Sequence, residues 1–128
     1  MRKLLIVDDE DGVRSLVRMT LDNGSLEILE ARDGHEALEL ARAERPDLVL
    51  LDVMLPDMSG LDICRQLKTD RSTVAITVIM LTARAQSADL SDAEDAGADG
   101  YFTKPFSPIA LVRKVESVLG PSTVWAQS

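Results

Sequence analysis

The chain has no cluster of basic residues and carries a formal net charge of −8. Phosphate backbones are gripped by grouped Lys and Arg, so this balance argues against nucleic acid as a direct partner. The single cysteine, Cys64, can form no internal disulfide, which suits a reducing compartment. Set in a helical pattern, it reads as a small core residue and not as a reactive thiol. Long apolar runs are missing too. The stretch after Met1-Arg2-Lys3 extends only from Leu4 to Val7 before Asp8, Asp9, Glu10 and Asp11 cut it short, too little for export or a membrane span. The expected compartment is the cytoplasm, with no membrane partner. No Gly-rich loop follows this first apolar segment, which argues against nucleotide binding. Internal repeats and low-complexity segments are absent as well.

What is present fits one domain: 128 residues, 45% apolar, enough for one core. The expected unit spans residues 1–120, with 121–128 as a tail or the start of a linker. Apolar strands at Lys3 to Val7, Leu26 to Ala31, Leu48 to Asp52, Val74 to Leu81 and Asp99 to Thr103 alternate with amphipathic helices. The first helix places Val13, Leu16, Val17, Thr20 and Leu21 on one face, and Asn23-Gly24 stops it. The second starts at Asp33-Gly34 and ends at Arg45-Pro46. The third starts near Gly60 behind Ser59 and Asp62, which have capping-box spacing. The fourth, about Gln86 to Ala96, has little but Leu90 to bury and should be the least firmly docked. The last, behind Ser107-Pro108, buries Ile109, Leu111, Val112, Val115, Val118 and Leu119. Strands and helices in alternation require crossover connections, hence an α/β fold with a parallel sheet covered on both faces.

Leu48-Val49-Leu50-Leu51 is continuously apolar, as in a strand buried on both faces, and Asp52 stands where it leaves the core. Asp8 and Asp9 follow the first strand, Thr82 the fourth and Lys104 the fifth. Each has an ordinary reading alone: helix-capping acids, a β-branched strand residue, a solvated lysine. Ligands bind at the carboxyl ends of parallel strands, and there these residues would share one pocket. Three carboxylates in close approach require a proton or a cation among them, and an all-oxygen donor set suits Mg²⁺. Asp52 could then act as a nucleophile toward phosphorus, with Lys104 and Thr82 holding phosphoryl oxygens.

Val7-Asp8-Asp9-Glu10, Leu51-Asp52-Val53-Met54-Leu55-Pro56, Leu81-Thr82-Ala83 and Lys104-Pro105-Phe106 together resemble the signature of bacterial response-regulator receiver domains, over essentially the whole of residues 2 to 120. The resemblance implies a (βα)₅ flavodoxin-like sandwich with strand order 2-1-3-4-5. It implies that Asp52 receives a phosphoryl group from a sensor histidine kinase or phosphotransfer protein. It also implies Mg²⁺ held by Asp9, by Asp8 through water, by Asp52 and by the Met54 backbone carbonyl. Thr82 and Tyr101, one of only four aromatics, would form a switch that remodels the face of the fourth helix, fifth strand and fifth helix. That face would control an output and could support a homodimer. The Lys104-Pro105 peptide is expected to be cis. Met54 and Arg84 flank the phosphoryl site at positions that vary within the family.

Two other readings compete. A receiver-like binding module would ignore phosphorylation. A Mg²⁺-dependent phosphatase working through an aspartyl phosphate would need a second acid two residues after its nucleophile, where this chain has Met54.

Overall fold

The computed structural model describes residues 2–22, 24, 26–83 and 87–120, with the side chains of 87–90 left aside. Expectations for Asn23, Arg84, Gln86, the Leu90 side chain and 121–128 lie outside the described residues. In chain order the elements are β1 (Arg2–Val7), α1 (Asp11–Leu21), β2 (Leu26–Ala31), α2 (Gly34–Glu44), β3 (Leu48–Asp52), α3 (Gly60–Thr69), β4 (Thr77–Thr82), α4 (Ser87–Asp95), β5 (Gly100–Thr103) and α5 (Pro108–Leu119). All strand pairs are parallel, in the order β2-β1-β3-β4-β5. No helix among the described residues is long and apolar enough to cross a membrane.

Successive residues of a strand point to opposite faces, so each central strand feeds two cores. Leu5, Val7, Val49, Leu51, Val78 and Met80 pack beneath α2, α3 and Ala93 of α4. Leu4, Ile6, Leu48, Leu50, Ile79 and Leu81 pack beneath α1 and α5. Cys64 is fully buried in the first core, where desolvation pushes its thiol up to about 11 and leaves it inert. Among the described α4 side chains, Ala93 alone is buried, so one methyl group anchors them.

Local chemistry sets the helix boundaries. Asp33 caps α2 by accepting from Glu36 N, and Arg45 ends it in the left-handed region (φ 46°) just before Pro46. Ser107 caps α5 and Pro108 occupies its first turn. Ser59 caps α3 by accepting from Leu61 N. The reciprocal half of a capping box does not form: the Asp62 side chain is too short to reach back and pairs with Arg65 at 3.0 Å.

Two other expectations need correction. β4 begins at Thr77 and not at Val74, because β3 starts at Leu48, directly opposite Thr77. The preceding N–H groups of Thr73, Val74 and Ile76 are consumed in a turn, donating to Asp70 O and Thr73 O, which leaves Val74 exposed. Ile109 is 66% exposed. The α5 stripe runs through Leu111, Val112, Val115 and Leu119, and a residue two positions before Leu111 falls well round the helix from it.

Gly60 explains how α3 can start so close to the acid-bearing strand end. A Cβ built there would lie 2.1 Å from the Asp52 carbonyl oxygen. Backbone cannot yield cheaply, so Gly60→Ala is expected to cost about 3 kcal/mol, the upper range for overpacking. A urea midpoint that falls at unchanged slope would report it.

Candidate functional site

The sheet brings the strand-end residues together. Asp52, the last residue of β3, is 7% exposed, and its Oδ1 accepts from Met54 N at 3.3 Å. One strand away, Asp8 is fully buried: its N–H donates to Ala31 O at 3.1 Å, extending the β1–β2 ladder, and its Oδ1 accepts from Glu10 N at 3.0 Å. Lys104, just past β5, reaches back over β4. Its Nζ lies 2.6 Å from Asp8 Oδ2, 3.4 Å from Asp52 Oδ2 and 3.9 Å from Glu10 Oε1. Lys104 is thus the cation between two buried acids. The Lys104-Pro105 peptide is cis.

Asp9 stands exposed at the rim, and carboxylate oxygens of Asp8, Asp9 and Asp52 all lie within 4.8 Å of one another. Such crowding shifts ionisation. Burial, and then the charge of Asp8, push the Asp52 carboxyl above its ordinary value, against the opposing pull of Lys104 and the Met54 N–H. Desolvation would lower Lys104, but Asp8 and Asp52 outweigh it and hold the ammonium above its usual range. Asp8 Oδ2 makes no well-aligned hydrogen bond despite the ammonium beside it. A buried oxygen held by charge alone, next to two further carboxylates, fits a hard divalent ion or its coordinated water.

An open cleft of about 830 Å³ lies over these groups, lined by Asp9, Asp52, Met54, Thr82, Ala83 and Lys104 among others. The Met54 side chain is 80% exposed at its edge, so no acid stands there. Thr82 also borders a void of about 40 Å³ behind it, shared with Tyr101, Met80 and Ala93. The Tyr101 ring itself is exposed.

A family model described as the response regulator receiver domain matches residues 4–116. The chain belongs to this family. The receiver is 39% identical over 127 residues to the alkaline phosphatase synthesis transcriptional regulatory protein PhoP of Bacillus subtilis, covering 99% of this chain and 52% of the relative. It is 42% identical over 118 residues to the phosphate regulon transcriptional regulatory protein PhoB of Pseudomonas aeruginosa, covering 92% and 52%. The receiver therefore spans about half the length of these curated relatives. Among solved structures it resembles the chemotaxis protein CheY4 of Vibrio cholerae, with a TM-score of 0.87, 32% identity, and coverage of 93% and 99%. It also resembles DrrB of Thermotoga maritima, described as an OmpR/PhoB homologue, with a TM-score of 0.84, 35% identity, and coverage of 93% and 52%. Receivers of this family typically use Mg²⁺, and the acidic cluster suits it.

Two residues near the site had drawn no attention in the sequence. Arg14 is buried behind Asp8, on the same α1 face as Val17 and Leu21; an arginine inside an apolar stripe was the available signal. Asp57, in the loop between β3 and α3, caps a distant helix. Its Oδ1 accepts from Gly34 N at 2.7 Å and its Oδ2 from His35 N at 3.0 Å. Nothing in local spacing announces a partner 23 residues away.

These N–H donors hold Asp57 below the usual carboxylate range. A depressed folded pKa contributes stability that is present above the unfolded value and lost as pH falls through the folded one. Asp57→Ala is expected to lower the denaturation midpoint at neutral pH, with the difference from wild type vanishing in acid. Parallel urea titrations at the two pH values check this.

Proposed function

We propose that this receiver is a phosphorylation-operated switch in which Asp52 takes a phosphoryl group from a histidine kinase or a phosphotransfer protein. The observation that carries it is the Lys104 ammonium held between Asp8 and Asp52 at the mouth of the cleft. Asp52 would attack phosphorus with a carboxylate oxygen as the donor's phosphorus–nitrogen bond breaks, the electron pair leaving with the imidazole. Lys104 would neutralise one phosphoryl oxygen, and Thr82, which ends β4 and lines the cleft, would hold another. Asp9, Asp52, the Met54 carbonyl and, through water, Asp8 are the proposed Mg²⁺ ligands. The ion supplies neutralisation of the incoming charge. The chain then catalyses only its own phosphorylation and dephosphorylation. The bare Met54 position, without an acid, supports this over a phosphatase.

Movement of Thr82 toward the phosphoryl group would open the void behind it to the Tyr101 ring, and the surface of α4, β5 and α5 would change with it. Ala93 as the single buried group among the described α4 side chains makes that helix easy to shift. Through this face the receiver would control an output partner or domain, with a homodimer as one form of output. Residues 1–120 are the proposed switch unit and 121–128 its tail or linker.

Incubation with a small acyl-phosphate donor and Mg²⁺, followed by intact mass measurement, tests the proposal. The expected result is a base-labile gain of one phosphoryl group that a chelator prevents. No gain with Mg²⁺ present overturns it.

A further inference from the structure

We infer that Arg14 is a positioning residue for the Mg²⁺ site, holding the Asp8-Asp9 turn in shape from behind. This inference rests on the reading of Asp9 and Asp8 as metal-binding groups. Arg14 is 7% exposed and is not among the residues lining the cleft. Its Nη1 donates to the Asp8 main-chain carbonyl at 2.5 Å, its Nε to Glu30 Oε1 at 3.2 Å, and its Nη2 to Asp11 Oδ1. Glu30, on β2, is in turn fixed by Arg18, whose Nε donates to Glu30 Oε2 at 2.7 Å and whose Nη2 donates to Ile28 O at 2.9 Å.

The carbonyl that Arg14 grips belongs to the peptide joining Asp8 to Asp9. That unit is planar, so fixing its oxygen fixes the plane and with it the Cα from which the Asp9 carboxylate departs. Asp8 is already tied by its N–H to β2, by Oδ1 to Glu10 N and by Oδ2 to Lys104. Asp9 itself is exposed, so Arg14 determines where its backbone begins. The rigid fork suits this task, since one guanidinium reaches a carbonyl and two carboxylates on three different segments at once. A lysine could satisfy one of them. Residues that orient metal ligands from the next layer typically change affinity by about 10–100-fold when removed.

Calorimetric titration of the full chain with Mg²⁺, without any phosphoryl donor, tests the inference. Wild type is expected to bind and Asp9→Asn to lose binding; if wild type does not bind, the metal-site reading fails on its own. Given wild-type binding, Arg14→Met should weaken it by about tenfold or more, with Arg14→Lys recovering part of the loss. In phosphoryl uptake, the Mg²⁺ concentration for half-maximal rate should rise while the rate at saturating Mg²⁺ stays near wild type. A merely structural arginine would lower thermal stability and leave both Mg²⁺ readouts unmoved, and that result overturns the inference. Should Arg14→Met fail to fold, Glu30→Gln decides, since it leaves the guanidinium in place but loosens it. Weaker Mg²⁺ binding supports the inference and unchanged binding overturns it.

Discussion

Asp52→Asn is expected to take up no phosphoryl group at all and, at neutral pH without Mg²⁺, to be more stable than wild type. The amide is no nucleophile toward phosphorus, so the loss of uptake is complete and not graded. The gain in stability follows from the surroundings of the carboxylate. Burial and the charge of fully buried Asp8 push the Asp52 carboxyl above its ordinary value of 3.8. The folded state therefore binds this proton more tightly than the unfolded chain does. Stability falls as pH rises from the unfolded value through the folded one, and the cost is present in full above it. A neutral isostere escapes that cost, so the midpoints of variant and wild type should converge as pH is lowered toward the ordinary carboxylate range. Mg²⁺ should reverse the ranking. An ion at a hundred times its dissociation constant stabilises wild type by about 2.7 kcal/mol, and the variant, lacking one ligand, gains less. Intact mass spectrometry and urea titrations at neutral and acid pH, with chelator or Mg²⁺, read all four outcomes. Undiminished phosphoryl uptake in the variant would refute the assignment of Asp52.

The order of elements and the burial of the central strands were legible because both rest on patterns of apolar residues. Leu48 to Leu51 is apolar at every position, and a strand covered on both faces needs that. The same pattern misled at Val74, where apolar residues continue past the end of the ladder; strand pairing, a non-local property, decides the boundary. At the site, Asp8, Asp52 and Lys104 were legible as strand-end residues. Their individual contacts, such as Lys104 pairing with Asp8 across β4 and β3, were not; they depend on β1 and β3 flanking the switch in strand order with β5 on the β3 side. The brace behind them was half visible. Glu30 continues the alternation of Leu26 and Ile28 as an acid on the core face, and Arg14 interrupts the α1 stripe with a base. Each breaks its own local pattern, and together they form one ion pair at 3.2 Å. Two violations of opposite sign on facing elements are a signal that neither segment carries alone. Asp57 offers no such clue, because a loop acid breaks no pattern.

Replacing Lys104 should cost more than any other single change in the cleft. Lys104→Met keeps the aliphatic stem and removes the only charge partner, among the described residues, that Asp8 Oδ2 has. Leaving one half of a buried pair uncompensated typically costs about 3–5 kcal/mol. Exposed Asp9 lines the same open cleft, so water will reach the acids and the expected loss lies near the lower end, about 3 kcal/mol at neutral pH in chelator. Two conditions should recover it. Lowering the pH lets Asp52, relieved of the ammonium that favours its charged form, take up a proton at higher pH than in wild type. Stability of the variant should therefore climb as pH falls across a range where wild type changes less. Mg²⁺ should do the same at neutral pH by replacing one cation with another, giving the variant a larger metal-dependent rise in urea midpoint than wild type. Recovery of fold is not recovery of function. With a phosphoryl group on Asp52, the metal and Lys104 would have to neutralise different oxygens, so uptake should remain slower by about 10²–10³-fold even in saturating Mg²⁺, the usual cost of losing one preorganised donor. A variant as stable as wild type in chelator would refute the reading of Lys104 as the cation that balances these two buried acids.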